Sequence, residues 1–262
     1  MNRINQLFER KQENLLNIYS TAGYPQLEST GEIILSLDKA GVDLVEIGMP
    51  YSDPLADGPT IQKSSTIALQ NGMTIRKVLE QIKTVRDQAT LPIILMGYLN
   101  PVLQYGFEAF LKSCQEVGVD GLILPDLPLY EYETHYQGLF KKYNIRLIFL
   151  ITPQTSTKRI RKIDALSNAF IYVVSSAATT GKQAGFEAKN IAYFKRIQAM
   201  NLKNPILIGF GISNQATYQT VCQYANGAII GSAFIRMLEK SQHIERDVVA
   251  FVEGLNVSTV AK

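Results

Sequence analysis

This chain of 262 residues is poor in the groups that most often carry metal and redox chemistry: it has two histidines, two cysteines and no tryptophan. Cys114 and Cys222 lie far apart and outside any CxxC spacing. That argues against a disulfide framework or a zinc site and fits a reducing, cytoplasmic setting. His135 and His243 fall in helical patterns away from the loops of chemical interest, so acid/base work is left to carboxylates. An excess of one charge is lacking too. Lys plus Arg number 26 and Asp plus Glu 23, a net +3, too mild to argue for nucleic acid or an anionic membrane surface. The basic run 158–162 (KRIRK) has no aromatic or glycine motif beside it and reads as a solvated helix face. No stretch approaches the roughly 20 apolar residues that span a bilayer. The charged N-terminus, MNRINQLFERKQENLL, has no apolar core of signal-peptide length.

What the chain does have is a repeating pattern. Hydrophobic residues make up 46%, as in ordinary globular proteins. Ile4, Leu7 and Phe8 mark a short amphipathic helix, and the run 15–19 ends in the turn signal STAGYP. Ile33, Ile34, Leu37 and Ala40 form a helical stripe closed by Gly41. Strand 43–47 follows, then a helix from Ile61 and another over 75–85. Further strands are expected at 92–96, 121–124, 146–151, 169–174, 205–208 and 228–230. Helices are expected over 107–118, 132–143, 157–166, 190–200 and 216–224, then 234–238 and a longer one to about 254. The strand segments are short and continuously apolar, as strands buried on both faces are. Strand–helix alternation implies parallel strands with right-handed crossovers. Eight such units predict an α/β fold, a (β/α)8 TIM barrel whose floor is plugged by the N-terminal helix. A doubly wound open sheet is the alternative, but such sheets seldom need eight equal units. No linker or shift in composition divides the chain, so 1–262 is read as a single domain.

The stretch 45–62, VEIGMPYSDPLADGPTIQ, concentrates the chemistry. Glu46 sits inside an apolar strand, where an ionised carboxylate is costly. It is therefore either a buried partner of some Lys or Arg, or a group with a raised pKa and a chemical task. Asp53 and Asp57 occupy the loop beyond it. Barrel sites lie at the C-terminal strand ends, and three more loops stand out there. SSAATTGKQAG, after strand 169–174, is either a plain flexible loop or a lid that closes over substrate. GFGIS (209–213) and GSAF (231–234) carry glycines, and a short helix begins at about Ser232. Tight turns would explain those glycines, but loops at these two positions are the recurring phosphate site of barrels. Gly211, Gly231 and Ser232 would supply it. Tyr19, Met96, Tyr98, Tyr172 and Phe210 would line the mouth between, fitting a flat apolar substrate portion. Neither a metal-ligand cluster nor a nicotinamide fingerprint is present in the sequence.

The 45–62 string resembles the signature of the tryptophan synthase α subunit family. The likeness continues through PDLP (125–128), FIYVVSSAATTG (170–181), GFGIS and GSAF, and so covers nearly the whole chain. It implies a (β/α)8 barrel, a lyase of tryptophan biosynthesis that cleaves indole-3-glycerol phosphate to indole and glyceraldehyde 3-phosphate. It also implies an α2β2 complex with a β subunit that holds pyridoxal phosphate, with no cofactor in this chain. By motif, Glu46 matches the family's acid/base residue and Asp57 its loop aspartate. Tyr172 matches the tyrosine beside the indole, with Phe210 near it. Thr180 and Gly181 match the closing loop, Gly211, Gly231 and Ser232 the phosphate site, and Pro50 and Asp53 positions that face the β subunit. Where many members have an Arg and a Gly before Thr-Gly, this chain has Ser176-Ala177-Ala178, so lid closure is expected to differ in detail. Other phosphate-binding barrels of the same pathway would match only in the phosphate loops. A non-catalytic α-like subunit would not need both carboxylates.

Overall fold

The computed structural model describes residues 1–175 and 186–255. Its parallel strand segments are β1 (Leu15–Thr21), β2 (Leu44–Gly48), β3 (Ile93–Met96), β4 (Gly121–Ile123), β5 (Arg146–Leu147), β6 (Phe149–Ile151), β7 (Ile171–Val174), β8 (Ile206–Gly209) and β9 (Gly227–Ile230). They bond in the order β5-β4-β3-β2-β1-β9-β8-β7-β6. β5 and β6 are two halves of one stave. β5 bonds β4 and β6 bonds β7, while the N–H of Ile148 between them donates to Leu122 O at 2.9 Å. The chain from 146 to 151 therefore closes the sheet on itself, giving the expected eight-stave barrel with helices outside.

Side-chain parity explains why the strands read as continuous apolar runs. Leu15, Leu44, Ile94, Ile123, Ile148, Leu207 and Ile229 point inward and pack as one cluster. Their neighbours Leu16, Val45, Ile93, Leu122 and Ile208 point outward against the helices, as the two-residue period of a strand requires. Ile4 and Leu7 of the helix Arg3–Arg10 belong to the inner cluster, and Phe8 stacks near Phe170 with centroids 5.8 Å apart. The Asn2 side chain caps this helix by accepting from Ile4 N, and donates to Asp120 O at 2.8 Å and Asn144 O at 2.9 Å. Asn5 Nδ2 donates to Asn168 O. All three acceptors precede strands, so the helix seals the N-terminal end of the barrel and leaves the opposite rim open.

Three local expectations differ. The stretch 99–105, expected as loop, is the helix Leu99–Tyr105. Pro101 sits in its first turn, where a missing N–H costs nothing. The expected single helix 132–143 is a π-helical turn Tyr132–Tyr136 followed by Gln137–Lys142, and Tyr136 stacks on Phe107 at 3.9 Å. The expected strand 146–151 is interrupted at Ile148.

If the N-terminal helix fills the floor, Ile4→Ala should lower the free energy of unfolding by about 2–5 kcal/mol through the cavity it leaves. Urea denaturation of wild type and variant measures this, and a loss below about 0.5 kcal/mol would mean that the helix lies on the surface.

Candidate active site

Leu44, Glu46 and Gly48 of β2 share the inward face. Glu46 is fully buried, and β1 pairs with β2 so that Tyr19 lies opposite it. Asn17, two residues earlier on β1, donates from Nδ2 to Glu46 Oε1 at 2.5 Å. Glu46 Oε2 has no hydrogen-bond partner among the described residues, and no Lys or Arg there forms an ion pair with Glu46. Burial pushes its carboxyl up from the ordinary 4.5 to about 8, against the opposing pull of the Asn17 hydrogen bond. Of the two readings open from the sequence, the ion-paired one finds no partner among the described residues, and the raised pKa favours the other.

Asp57 is half-buried on the loop that leaves β2. Tyr98, just past β3, donates to Asp57 Oδ2 at 3.0 Å and accepts from Ala56 N at 3.0 Å. Burial raises the Asp57 carboxyl above the usual aspartate range, and the Tyr98 bond opposes that rise. Tyr51 packs on Tyr98 at 5.3 Å. The phenols of Tyr19 and Tyr172 are buried and feel the negative charges of both Glu46 and Asp57, so their pKa values rise, burial being the larger cause. These four groups thus converge on one space. Glycine makes that convergence possible: a Cβ at Gly48 would lie 2.0 Å from the Tyr19 hydroxyl, and one at Gly209 2.4 Å from the Tyr172 hydroxyl.

The other side of the rim is built from backbone. β8 ends at Gly209, and Phe210 (φ 70°) and Gly211 (φ 76°) follow in the left-handed region. For a phenylalanine that is a strained conformation. Ser175 holds it, donating from Oγ to Phe210 O at 2.8 Å, while its N–H donates to Gly209 O at 3.1 Å. The Phe210 ring stands 6.4 Å from Tyr172. On the neighbouring stave, β9 runs into the helix Ser232–Lys240, whose N-cap is Gly231. No side chain caps that helix, whereas the next helix back, Gln215–Cys222, is closed by the Asn214 capping box. The first N–H groups after Gly231 remain available to an anion. Tyr19 Cβ would lie 3.4 Å from a Cβ at Gly231, so this end adjoins the carboxylate end.

A buried acid, a second carboxylate, aromatic walls and an uncapped helix N-terminus thus share one rim. The family model of the tryptophan synthase alpha chain matches residues 5–260. Curated alpha chains are similar throughout. That of Christiangramia forsetii is 57% identical over 241 residues, covering 92% of this chain and 94% of the other. That of Bacteroides fragilis is 50% identical over 259 residues, covering 99% and 98%. The solved alpha subunit of Legionella pneumophila superposes with a TM-score of 0.87 at 32% identity, covering 97% of each chain. The chain belongs to the tryptophan synthase alpha chain family. It is a lyase that cleaves indole-3-glycerol phosphate to indole and glyceraldehyde 3-phosphate in tryptophan biosynthesis.

In this alpha chain Glu46, Asp57, Tyr172 and Phe210 stand together, and Gly211, Gly231 and Ser232 lie on the adjoining staves. Of the two residues expected to face a partner, Pro50 is half-buried and Asp53 exposed. Thr180, Gly181 and the Ser176-Ala177-Ala178 stretch lie outside the described residues. The sequence reading did not single out Asn17 or Ser175, and named Tyr98 only as a wall. Asn17 carried one usable signal: a polar residue at an inward position of an otherwise apolar strand.

The raised Glu46 pKa has a sign in stability. The folded chain keeps this proton to about pH 8, while the unfolded chain loses it near 4.5. The associated stability is full below pH 4.5, falls as pH rises, and is gone above about 8. Glu46→Gln, which cannot ionise, should become progressively more stable than wild type over that window. The gap would reach at most about 5 kcal/mol. Thermal melts across pH 4–9 measure it, and a constant difference between the two proteins would mean an unshifted Glu46.

Proposed function

We propose that Glu46 is the general acid and base of the cleavage and Asp57 the group that stabilises charge on the indole. The observation that carries this reading is the buried, unpaired Glu46 carboxyl on the same rim as the uncapped helix N-terminus after Gly231. Retro-aldol cleavage needs one proton delivered to indole C3 and one removed from the side-chain hydroxyl. Protonated Glu46 gives its proton to C3, and positive charge builds on the ring nitrogen. Asp57 accepts the indole N–H and stabilises that charge. The Glu46 carboxylate then takes the hydroxyl proton. The O–H electron pair becomes the carbonyl bond, and the C3–carbon bond pair returns to the ring. Indole and the aldehyde leave, and Glu46 ends protonated as it began. A pKa near neutrality lets one carboxyl do both tasks.

The N–H groups at Gly211, Gly231 and Ser232 would hold the phosphate, fixing the reacting bond through remote binding energy. Tyr172 and Phe210 would hold the indole, and Thr180 and Gly181 would close over it. Residues 1–262 would act as one domain, without a cofactor of their own. For the β subunit, which would bring pyridoxal phosphate in an α2β2 complex, the docking edge is the loop carrying Pro50 and Asp53. Leu55 at its tip is 92% exposed, an apolar side chain that a partner surface would cover. No helix among the described residues is long and apolar enough to cross a membrane, and both cysteines are free. We place the protein in the cytoplasm.

Mixing the chain with indole-3-glycerol phosphate and following indole, with and without a β subunit, tests the reading. Glu46→Gln should abolish release while substrate still binds, and Asp57→Asn should lower kcat by roughly two to four decades. Normal turnover by either variant removes that residue from the chemistry. Ser232→Asp should raise KM by placing a negative charge beside the phosphate. An unchanged KM would move the anchor elsewhere.

A further inference from the structure

Among the described residues, Asn17 is the one polar side chain that bonds the Glu46 carboxyl. It lies on the inward face of β1, fully buried, where the neighbouring inward position is Leu15. Its Nδ2 bond to Glu46 Oε1 is its single side-chain hydrogen bond among the described residues, and its Oδ1 is left without a partner there. A leucine of nearly the same shape would fill the position without that unmet acceptor, whose burial is costly. The geometry at Glu46 is equally one-sided: Oε1 is taken and Oε2 is bare.

We propose that Asn17 is a positioning residue that commits the two Glu46 oxygens to different tasks, holding Oε1 as a permanent acceptor and leaving Oε2 as the one atom that carries the proton in both transfers. This rests on the catalytic reading of Glu46 given above. An amide N–H donates equally well in geometry to the carbonyl oxygen of the acid and to a carboxylate oxygen, so the bond survives both protonation states. With Oε1 facing a donor, the proton has its place on Oε2. The carboxyl cannot rotate between the two transfers without breaking a buried hydrogen bond, so the proton taken from the hydroxyl returns to the atom that delivered the first. Because the bond is stronger to the carboxylate, it also holds the pKa below what burial alone would give. The titratable groups that feel the Glu46 charge are Tyr19 on β1 and Tyr172 on β7, and both also feel Asp57 on the loop beyond β2. From β3, Ile94 and Met96 share its inward face. No cation among them could take over the task of Asn17.

The test uses the full chain with Asn17→Leu, which keeps the shape and removes the amide. Difference infrared spectra, each taken against the same background with Glu46→Gln, give the pH at which the buried carboxyl loses its proton, whether or not the protein turns over. The expected result is a titration shifted upward by about one pH unit, a tenfold change in proton affinity, with kcat lowered about ten- to a hundredfold and KM little changed. Asn17→Asp provides a second route should the leucine variant fail to fold. Two carboxyls at this distance share a proton, so Glu46 should then titrate in two coupled steps. An unchanged titration in Asn17→Leu, or a single unshifted step in Asn17→Asp, overturns the assignment. So does a shifted titration with wild-type kcat. Full indole release by Glu46→Gln overturns the catalytic reading itself, an outcome distinct from the others because the infrared titration does not depend on activity.

Discussion

A carboxyl group held out of water, with no cation among the described residues to offset it, is the constraint that the rest of this barrel accommodates. Glu46 can tolerate that position only as a neutral acid over most of the pH range, and it stays neutral only while water is excluded beneath it. The inner cluster of Leu15, Leu44, Ile94, Leu207 and Ile229, closed from below by Ile4 and Leu7, provides that exclusion. Register matters for the same reason. A slip of one residue in β2 would turn Glu46 out among the helices and Val45 inward, so the pairing of Tyr19 with Glu46 and of Glu46 with Ile94 keeps Glu46 where the proposed chemistry needs it.

The anion site proposed at Gly211, Gly231 and Ser232 is compatible with that constraint. A Lys or Arg near the phosphate would grip it more strongly, but the same positive charge would pull the Glu46 pKa down and empty it of its proton near neutrality. Backbone N–H groups and a helix N-terminus carry only a partial charge whose effect fades within a turn. The rim at 209–211 and 231–232 contains glycine, phenylalanine and serine, residues that leave the field at Glu46 nearly untouched. The strained Phe210 belongs to the same solution. Its left-handed conformation turns the chain end of β8, and the two acceptors given to Ser175 hold it there.

Much of this was legible in the sequence because it is local. The eight apolar runs, the acid inside one of them and the glycines that end two others are each visible within a window of a few residues, and the barrel follows from their alternation. What was not legible depends on contacts between distant positions. Asn17 meets Glu46 29 residues away, and Ser175 meets Phe210 35 residues away. No local pattern distinguishes such a serine from one in any loop. The break at Ile148 has the same origin: RLIFLI reads as one strand, but its two ends bond to different neighbours to close the barrel. The helix Leu99–Tyr105 was missed because Pro101 looks like a breaker, while in a first turn it breaks nothing.

The two carboxylates sit differently on one rim, as the two roles proposed for them require. Both are raised by burial, and both are opposed by one hydrogen bond, from Asn17 on Glu46 and from Tyr98 on Asp57. The difference lies in what carries them. Glu46 is part of a strand and fully enclosed, with its carboxyl pushed up to about 8, which suits the acid and base role proposed for it. Asp57 sits half-buried on a loop, where burial raises its carboxyl above the usual aspartate range and the Tyr98 hydroxyl opposes that rise. The proposed separation of roles therefore rests on strand against loop, not on the choice of glutamate over aspartate.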